Sequence, residues 1–439
     1  MLLRQPLLWA MCLLAWGIPH AQATSLQDIL KNNLFADPAI LEAQANQRVA
    51  AADIKIAQSA HYPTVTVTGA QTLAQNHRYD GNRRSSFNPG LQGKLNLYSW
   101  GGKEAQIRQA EHKHDYFQHK VTETQEDVSN TIATLYLGAL RAKESIQAAQ
   151  HNLERHNQII NDLTIITKFD KGRMSELEQA MARRLRVDAY LAEQTRSLEL
   201  NLSKLGKYTG SRLAPELLQN PFEADNPDNL VARFQMADAR QQPSYQAQQA
   251  ERQSVEAELD VAKANRYPDI NLIANVNRDN KEVYVNLEWD IYNRARGYQV
   301  SRTAESMIVA DAKMEQIQRD VAERARSAQV DMLQSLKRVE IGEQQIAAQK
   351  KVIKAYELQF KIARRTLIDV LDAYAELWNI ENTVVAARND YRDAALAYLN
   401  SQAAIGKWAG VVNVDESGSG SPSQPPTQTE TQPENPSND

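Results

Sequence analysis

Two carboxylates, those of Asp369 and Asp372, stand where one helical pattern ends and another begins. Thr366 precedes Asp369 with the spacing of a capping box, in which a hydroxyl and a carboxylate together cap a new helix. Residues three apart share one face of a helix, so both carboxylates are expected to project from the same side. Near a symmetry axis such a pair would form a negative ring that attracts cations and repels anions. Helix capping and ordinary solvated surface charge are the competing explanations, and the sequence alone favours them.

An earlier stretch of the chain, residues 169–182, echoes the region around these acids. It matches residues 360–373 without a gap, and phenylalanine opens both stretches. Ser175 and Glu178 repeat the spacing of the capping box. Two helical turnarounds with matching chemistry predict a chain built from two copies of one unit.

No combination of residues typical of an enzyme is present in the sequence. It lacks a Walker glycine loop, a His-Glu-x-x-His motif and a Gly-x-Ser-x-Gly motif. The formal net charge of −4 argues against a nucleic-acid-binding protein, which would be basic. His112, His114 and His119 cluster along the chain, but only the first and last fall on similar faces of a helix. A solvated surface is therefore favoured over a metal site, and we expect neither enzymatic activity nor a cofactor.

Residues 1–23 have the pattern of a secretory signal. Arg4 supplies the charge, an apolar run follows, and Ala21-Gln22-Ala23 fits cleavage between small residues. The single cysteine, Cys12, lies within the apolar run, where Trp9 and Met11 do not fit a lipoprotein site. The remaining chain has no thiol, so neither a disulfide nor cysteine catalysis is expected. No later segment has the 18 consecutive apolar residues that indicate a membrane-spanning helix.

Matching segments recur in the same order in both halves of the sequence. Pro38 and Pro243 each open a helical stretch, and a Tyr-Pro pair at residues 62–63 and at residues 267–268 closes it. A Gly-Lys pair also recurs near the end of each copy. The matching pairs of segments are 97–98 with 291–292, 169–182 with 360–373, and 205–210 with 405–410.

Four stretches that follow the Tyr-Pro pairs alternate apolar with polar residues. Runs of about ten residues with one apolar and one polar face are typical of transmembrane β-strands. A sheet packed over a soluble core would show the same alternation. The polar loop at residues 75–86 and the tight turn at Asp279-Asn280 favour the barrel. The apolar positions are Val65, Val67, Leu73, Phe87, Leu91, Leu95, Leu97, Ile270, Leu272, Ala274, Val276, Val283, Val285, Leu287, Trp289 and Ile291.

Very long helical patterns follow the strands in both copies. Either pattern would form a helix about 100 Å long, at 1.5 Å per residue. In the first, apolar and small residues recur at alternating spacings of three and four, which indicates a coiled coil with a thin apolar stripe and polar remaining faces. The stripe contains Ile107, Ala110, His114, Phe117, Val121, Thr124 and Val128.

These patterns predict an α+β protein of two tandem repeats. The first repeat, residues 24–210, contains a β-hairpin over 64–98, a long helix over 102–168 and a returning helix over 175–208. A connector, 211–242, is rich in Pro and Asn. The second repeat, 243–410, contains a hairpin over 269–292, a long helix over 296–363 and a returning helix over 366–408. Residues 411–439 are predicted to be disordered, because they contain almost nothing to bury.

A family resemblance rests on several of these features together. They are a Ser-Leu-Gln-Asp-Ile-Leu segment at residues 25–30, the Asp37-Pro38 and Tyr62-Pro63 pairs, the two-copy plan, and an Arg-Thr-Leu-Ile-Asp-Val-Leu-Asp-Ala segment at residues 365–373. Together they resemble the TolC family of outer-membrane efflux proteins. The resemblance implies a trimer in which each protomer gives four strands to one shared β-barrel. The helices would form a coiled-coil tunnel across the periplasm.

The resemblance also implies roles for individual residues at a periplasmic gate. Asp369 and Asp372 occupy the family's constricting aspartate positions, where the ring binds cations. Arg365 stands where an arginine links neighbouring helices, and Glu178 stands where the first copy has an acidic partner. Phe360 replaces a tyrosine that takes part in those links, so we expect closure to rest more heavily on Arg365 with Glu178.

We therefore interpret the chain as a passive exit duct of a tripartite export system, for secreted protein or for small molecules. The absence of a lipid anchor favours type I secretion. Expected partners are two further copies of the chain, a periplasmic adaptor, an inner-membrane ABC or proton-driven pump, and outer-membrane lipid, with the helices and tail in the periplasm. The alternative is a periplasmic coiled-coil adaptor with a small β domain.

Overall fold

The structure is a computed structural model that describes residues 25–71, 87–277, 280–362 and 364–411. The predicted signal with Cys12, the loop 75–86, Asp279 and nearly all of the predicted disordered tail lie outside the described residues.

The four strands form one antiparallel sheet in the order β1-β2-β3-β4. They are β1 Thr64–Gln71, β2 Phe87–Tyr98, β3 Asp269–Asn277 and β4 Lys281–Glu288. The register places Val67 opposite Leu91 and Leu91 opposite Val276. Residues directly opposite one another share a face of a sheet, so one face collects most of the apolar residues of the four strands, whereas Ile273 and Tyr284 lie opposite each other on the other face.

That apolar face is exposed to a degree that is unusual for a packed sheet. Val67 is 77% exposed, Val65 is 72% exposed and Val283 is 70% exposed. Threonine, asparagine, glutamine and charged side chains alternate with them and occupy the opposite face, where Asn96 donates a hydrogen bond to Asn271 at 3.1 Å. The predicted alternation of faces is therefore present in the sheet.

The last strand is shorter than the sequence indicated. Trp289 and Ile291 were expected to continue it, but β4 ends at Glu288. The Trp289 indole donates to the carbonyl of Arg266 at 3.2 Å. Asn293 then caps the following helix through its contact with the Ala295 amide at 3.1 Å. With these two bonds the chain leaves the sheet before the predicted end of the hairpin at residue 292.

The helices account for most of the described chain. They are α1 Leu26–Asn33, α2 Pro38–Gln58, α3 Gly102–Phe169, α4 Met174–Thr209, α5 Pro227–Phe234, α6 Pro243–Ala264, α7 Arg294–Lys361, α8 Leu367–Ser401 and α9 Ile405–Ala409. The long helices α3 and α7 have 68 residues each. Within the ranges described, no helix combines the length and hydrophobicity needed to cross a membrane.

The returning helix predicted over 366–408 is divided in two. Ala403 has a φ of 45°, a left-handed conformation that interrupts the helix between α8 and α9. The carboxylate of Glu126 on α3 then accepts hydrogen bonds from the amides of Ile405 and Gly406, at 3.0 and 3.1 Å. These bonds satisfy amides that the first turn of a helix leaves unpaired.

The largest buried cluster surrounds the middle of α3 and joins α1, α4, α8, α9 and the connector. Two tyrosine hydroxyls fasten the connector to the helices: Tyr136 donates to the carbonyl of Gln219 at 3.0 Å, and Tyr391 donates to that of Asp225 at 2.7 Å. Phe222 also packs against Trp408, with 5.0 Å between the ring centroids. The connector is thus an ordered part of the core, and α5 lies within it.

Candidate functional site

The two helical turnarounds pack against each other through a small apolar cluster, here called the tip cluster. Its buried members come from α3, α4 and α8, and Phe360 of α7 packs against them. Both hairpins, α3 with α4 and α7 with α8, therefore end at one place. The buried members are Leu163, Leu177, Ala180, Leu367 and Leu371.

The predicted capping box at the start of α8 is confirmed. The Thr366 hydroxyl donates to Oδ2 of Asp369 at 2.8 Å, and the Thr366 amide donates to the same oxygen at 3.1 Å. The Asp369 amide donates back to the Thr366 hydroxyl at 3.3 Å. These hydrogen bonds, with a smaller contribution from the charge of Arg365, hold the pKa of Asp369 below its usual value. The Asp369 carboxylate is therefore charged at neutral pH.

The matching box predicted at Ser175 and Glu178 does not form. A 3-10 turn at Lys171–Arg173 precedes α4, and the helix begins at Met174. Ser175 consequently lies inside the first turn rather than at its cap. Arg173 at the cap position instead contacts Glu176, with 3.0 Å between Nη2 and Oε2. The two turnarounds thus share sequence but begin their second helices differently.

Asp372 pairs with a residue that the sequence analysis missed. Its Oδ1 lies 2.7 Å from Nη2 of Arg183 on α4. Only 17% of the Arg183 side chain is exposed, compared with 62% of the Asp372 side chain. Lateral packing of two hairpins creates this contact, and no local motif encodes it.

Within one chain, Arg365 and Glu178 are not in contact, so the predicted link between them stays a prediction. The Arg365 guanidinium lies over the Tyr356 ring at 4.1 Å, and its Nε donates to Oε1 of Gln359 at 3.1 Å. Its Nη1 is 3.8 Å from Oδ1 of Asp369. Glu178 is exposed and has no hydrogen bond or ion pair to any residue that the structure describes. Arg365 therefore braces its own turnaround.

Phe360 joins the two hairpins through a contact between its aromatic ring and Arg173. The Arg173 guanidinium lies 5.2 Å from the centroid of the Phe360 ring, within the range of a cation–π interaction. The ring also packs against the tip cluster. Phenylalanine at this position thus presents an aromatic surface to a neighbouring cation.

Above the tip, a charged pair and a buried histidine lie where α3 meets α8. Arg155 donates to both carboxylate oxygens of Glu381 at 2.8 to 3.0 Å. His156 is 4% exposed, and its Nδ1 has no hydrogen-bond partner among the described residues. Burial, then the charges of Arg183 and Arg155, lower the pKa of His156. His156 is therefore neutral at neutral pH, next to two guanidiniums that are each paired with an acid.

Comparison with known sequences identifies relatives that cover most of the chain. Residues 26–211 match the sequence model of the family described as Outer membrane efflux protein. Outer membrane protein TolC of Vibrio cholerae is 22% identical over 419 residues, which cover 88% of this chain and 91% of the relative. Outer membrane protein TolC of Escherichia coli K12 is 21% identical over 420 residues, which cover 88% and 83%.

The chain is thus similar to TolC outer membrane proteins over most of its length. Its resemblance to the TolC family, inferred from the sequence, is thereby confirmed. Solved structures of other outer membrane proteins have the same fold as this chain. The chain superposes on the outer membrane protein VceC of Vibrio cholerae with a TM-score of 0.72 at 14% identity, covering 86% of this chain and 96% of VceC. For the open state of the MtrE outer membrane channel of Neisseria gonorrhoeae the TM-score is 0.73 at 16% identity, covering 86% and 89%.

Proposed function

We propose that three copies of this chain form the outer-membrane exit duct of a tripartite export system. The observation that carries the proposal is the four-stranded sheet with one exposed apolar face and one polar face. Its edge strands β1 and β4 have unpaired outer sides, and a sheet in lipid must close on itself. Three copies would supply twelve strands, an even number that is typical of bacterial barrels.

The apolar face is suited to lipid and the polar face to a water-filled lumen. Val65, Val67 and Val283 would face the acyl chains, and the asparagine and threonine side chains would face inward. The long helices would then continue the lumen as a tunnel through the periplasm. Duplication of one hairpin-and-helix unit along the chain is consistent with such a closed cylinder.

The tip cluster marks the periplasmic end of the proposed tunnel. There Asp369 and Asp372 would form a constriction with threefold symmetry, and Glu178 is free to meet Arg365 of a neighbouring copy. Substitution of both aspartates by alanine should abolish block of the single-channel current by divalent cations. Block that persists in the double variant would exclude the ring.

Energy would come from an inner-membrane pump, reached through a periplasmic adaptor that opens the tip. Type I protein secretion driven by an ABC pump is the system we propose. A photo-crosslinking amino acid can be incorporated at exposed positions of the tip, and the captured inner-membrane protein can then be identified. Capture of an ABC pump would support type I secretion, and capture of a proton-driven pump would support drug efflux.

Electrical recording tests the channel itself. Purified protein added to a planar bilayer should produce discrete current steps of uniform size, and outer-membrane fractions should contain the protein. Protein that stays soluble without detergent and leaves the bilayer silent would contradict the proposal.

A further inference from the structure

Arg183 is a largely buried cation at the seam between the two hairpins. It lies on α4, whereas its partner Asp372 lies on α8, and 2.7 Å separates Nη2 from Oδ1. A buried guanidinium requires compensation by an acid, because its desolvation is costly. The pair therefore fastens the α3–α4 hairpin to the first turns of α8.

The other candidate ring acid is held in a different way. Asp369 accepts its close hydrogen bonds from Thr366, within its own helix turn. Its nearest cation, Arg365, lies 3.8 Å away, and both side chains are more than a third exposed. Solvent screens such a contact strongly. Arg183 contacts Asp372 directly, whereas Arg365 lies farther from Asp369, so the charge of Asp372 is offset more strongly even though its side chain is 62% exposed.

A second guanidinium, that of Arg155, acts on the same histidine as Arg183. That histidine, His156 on α3, is buried within reach of the charge of Arg183, and Arg155 lies next to His156 along that helix. Arg155 is satisfied by Glu381, through bonds of 2.8 to 3.0 Å. Asp372 is therefore the acid that compensates Arg183 among the residues that the structure describes.

We propose that Arg183 determines both the charge and the closure of the tip. By neutralising Asp372 it leaves the ring of Asp369 carboxylates as the cation-attracting element. By holding α4 against α8 it opposes separation of the two hairpins. The electrical half of this inference rests on the proposed trimeric channel, and the mechanical half rests only on a contact within one chain.

Block of single-channel current by Mg²⁺ or Gd³⁺ applied at the tip tests the electrical half. Arg183→Gln should lower the concentration for half-block by about tenfold or more, since one carboxylate per copy is freed at close range. Adding Asp372→Asn to it should remove that gain. The control is Arg184→Gln, which loses the same charge from an exposed neighbour paired only with Asp188 at 3.6 Å. Unchanged block in Arg183→Gln, or an equal gain in the control, would overturn the proposal.

The resting conductance distinguishes the effect of Arg183 on the charge of the tip from its effect on closure of the channel. Arg183→Gln and Asp372→Asn both remove the ion pair, so both should raise the resting conductance. Only Arg183→Gln adds negative charge to the tip, so only it should strengthen block. Strengthened block in both variants, or raised conductance in neither, would contradict the proposed roles.

Hydrogen–deuterium exchange of the full chain in detergent tests the contact without any current. Amides in the first turns of α4 should exchange faster in Arg183→Gln and in Asp372→Asn, and the double variant should be no faster than either. Additive effects, or exchange equal to that of the parent, would show that the two residues do not act together. If the protein produces no current steps but the exchange is non-additive, the proposed channel is refuted and the contact between Arg183 and Asp372 is supported.

Discussion

Arg392 on α8 donates two parallel hydrogen bonds to Glu144 on α3, at 2.9 and 2.7 Å. The Arg392 side chain is 6% exposed, so the pair lies inside the fold. Its Nε also donates to Oδ1 of Asn220 in the connector, at 3.0 Å. One guanidinium thus ties together the two halves of the chain and the segment between them.

Removing this guanidinium should destabilise the protein strongly. Arg392→Gln leaves Glu144, whose side chain is 21% exposed, without its charge partner, and we expect a loss of about 3 kcal/mol in the free energy of unfolding. Guanidinium titration followed by circular dichroism in detergent measures it. Arg388→Gln is the matched control on the same helix, because Arg388 and Glu343 are both about half exposed and such pairs contribute about 0–1 kcal/mol. Equal losses of unfolding free energy in the two variants would show that burial of the ion pair does not determine its contribution to stability.

Close approach of α7 and α8 depends on a glycine. A Cβ added to Gly342 would lie 2.3 Å from Cγ2 of Val384, a buried and stiff side chain. Gly342→Ala should therefore cost about 1–3 kcal/mol in the free energy of unfolding, as overpacking does.

Gly297, near the start of the same helix, provides the comparison. A Cβ there would meet nothing within 4 Å. Gly297→Ala should leave the free energy of unfolding unchanged or raise it by about 1 kcal/mol through helix propensity. A larger loss at residue 297 than at residue 342 would contradict the packing seen here.

Acidification should loosen the seam that contains His156. Burial and the charges of Arg183 and Arg155 lower the pKa of His156, so the folded protein binds fewer protons than the unfolded chain. The contribution of neutral His156 to the free energy of unfolding is complete above a pH of about 6.5. It declines as the pH falls from that value towards the lowered pKa of His156.

The melting temperature between pH 7.5 and pH 5 measures this dependence. His156→Gln should show a smaller decrease over that range than the parent protein. His151→Gln, which changes an exposed histidine on the same helix, should decrease as the parent does. Identical pH profiles for all three proteins would mean that His156 does not titrate with unfolding.

Arg365 should contribute to closure of the proposed channel. Its guanidinium stacks on Tyr356 at 4.1 Å and bonds Gln359, which braces the turn that carries Asp369. Arg365→Ser should raise the resting conductance in a planar bilayer. Arg364→Ser removes the same charge from the exposed adjacent residue, and its conductance should equal that of the parent. Equal conductance in all three proteins would place the gate elsewhere.

Local chemistry in the sequence predicted part of the tip. The capping box of Thr366 with Asp369 was predictable because both partners lie within one helix turn. The alternation of faces in the strands was predictable for the same reason. The break at Ala403 was not, since it depends on Glu126 from a distant helix accepting the amides of α9.

Contacts between hairpins required the three-dimensional arrangement. Arg183 and Asp372 are 189 residues apart in the chain. Arg173 and Phe360 are likewise brought together only when the hairpins pack side by side. Matching the two turnarounds by sequence suggested equal caps, but the 3-10 turn before α4 shifts Ser175 into the helix. Lateral packing, rather than local pattern, decides the partners of the charged residues at the tip.

Native mass spectrometry of the detergent-solubilised protein tests the central claim most directly, because one chain's sheet has open edges that only further copies would close. The account predicts a complex of three chains that survives gentle removal of detergent. A monomer as the principal species at every protein concentration tested would contradict it.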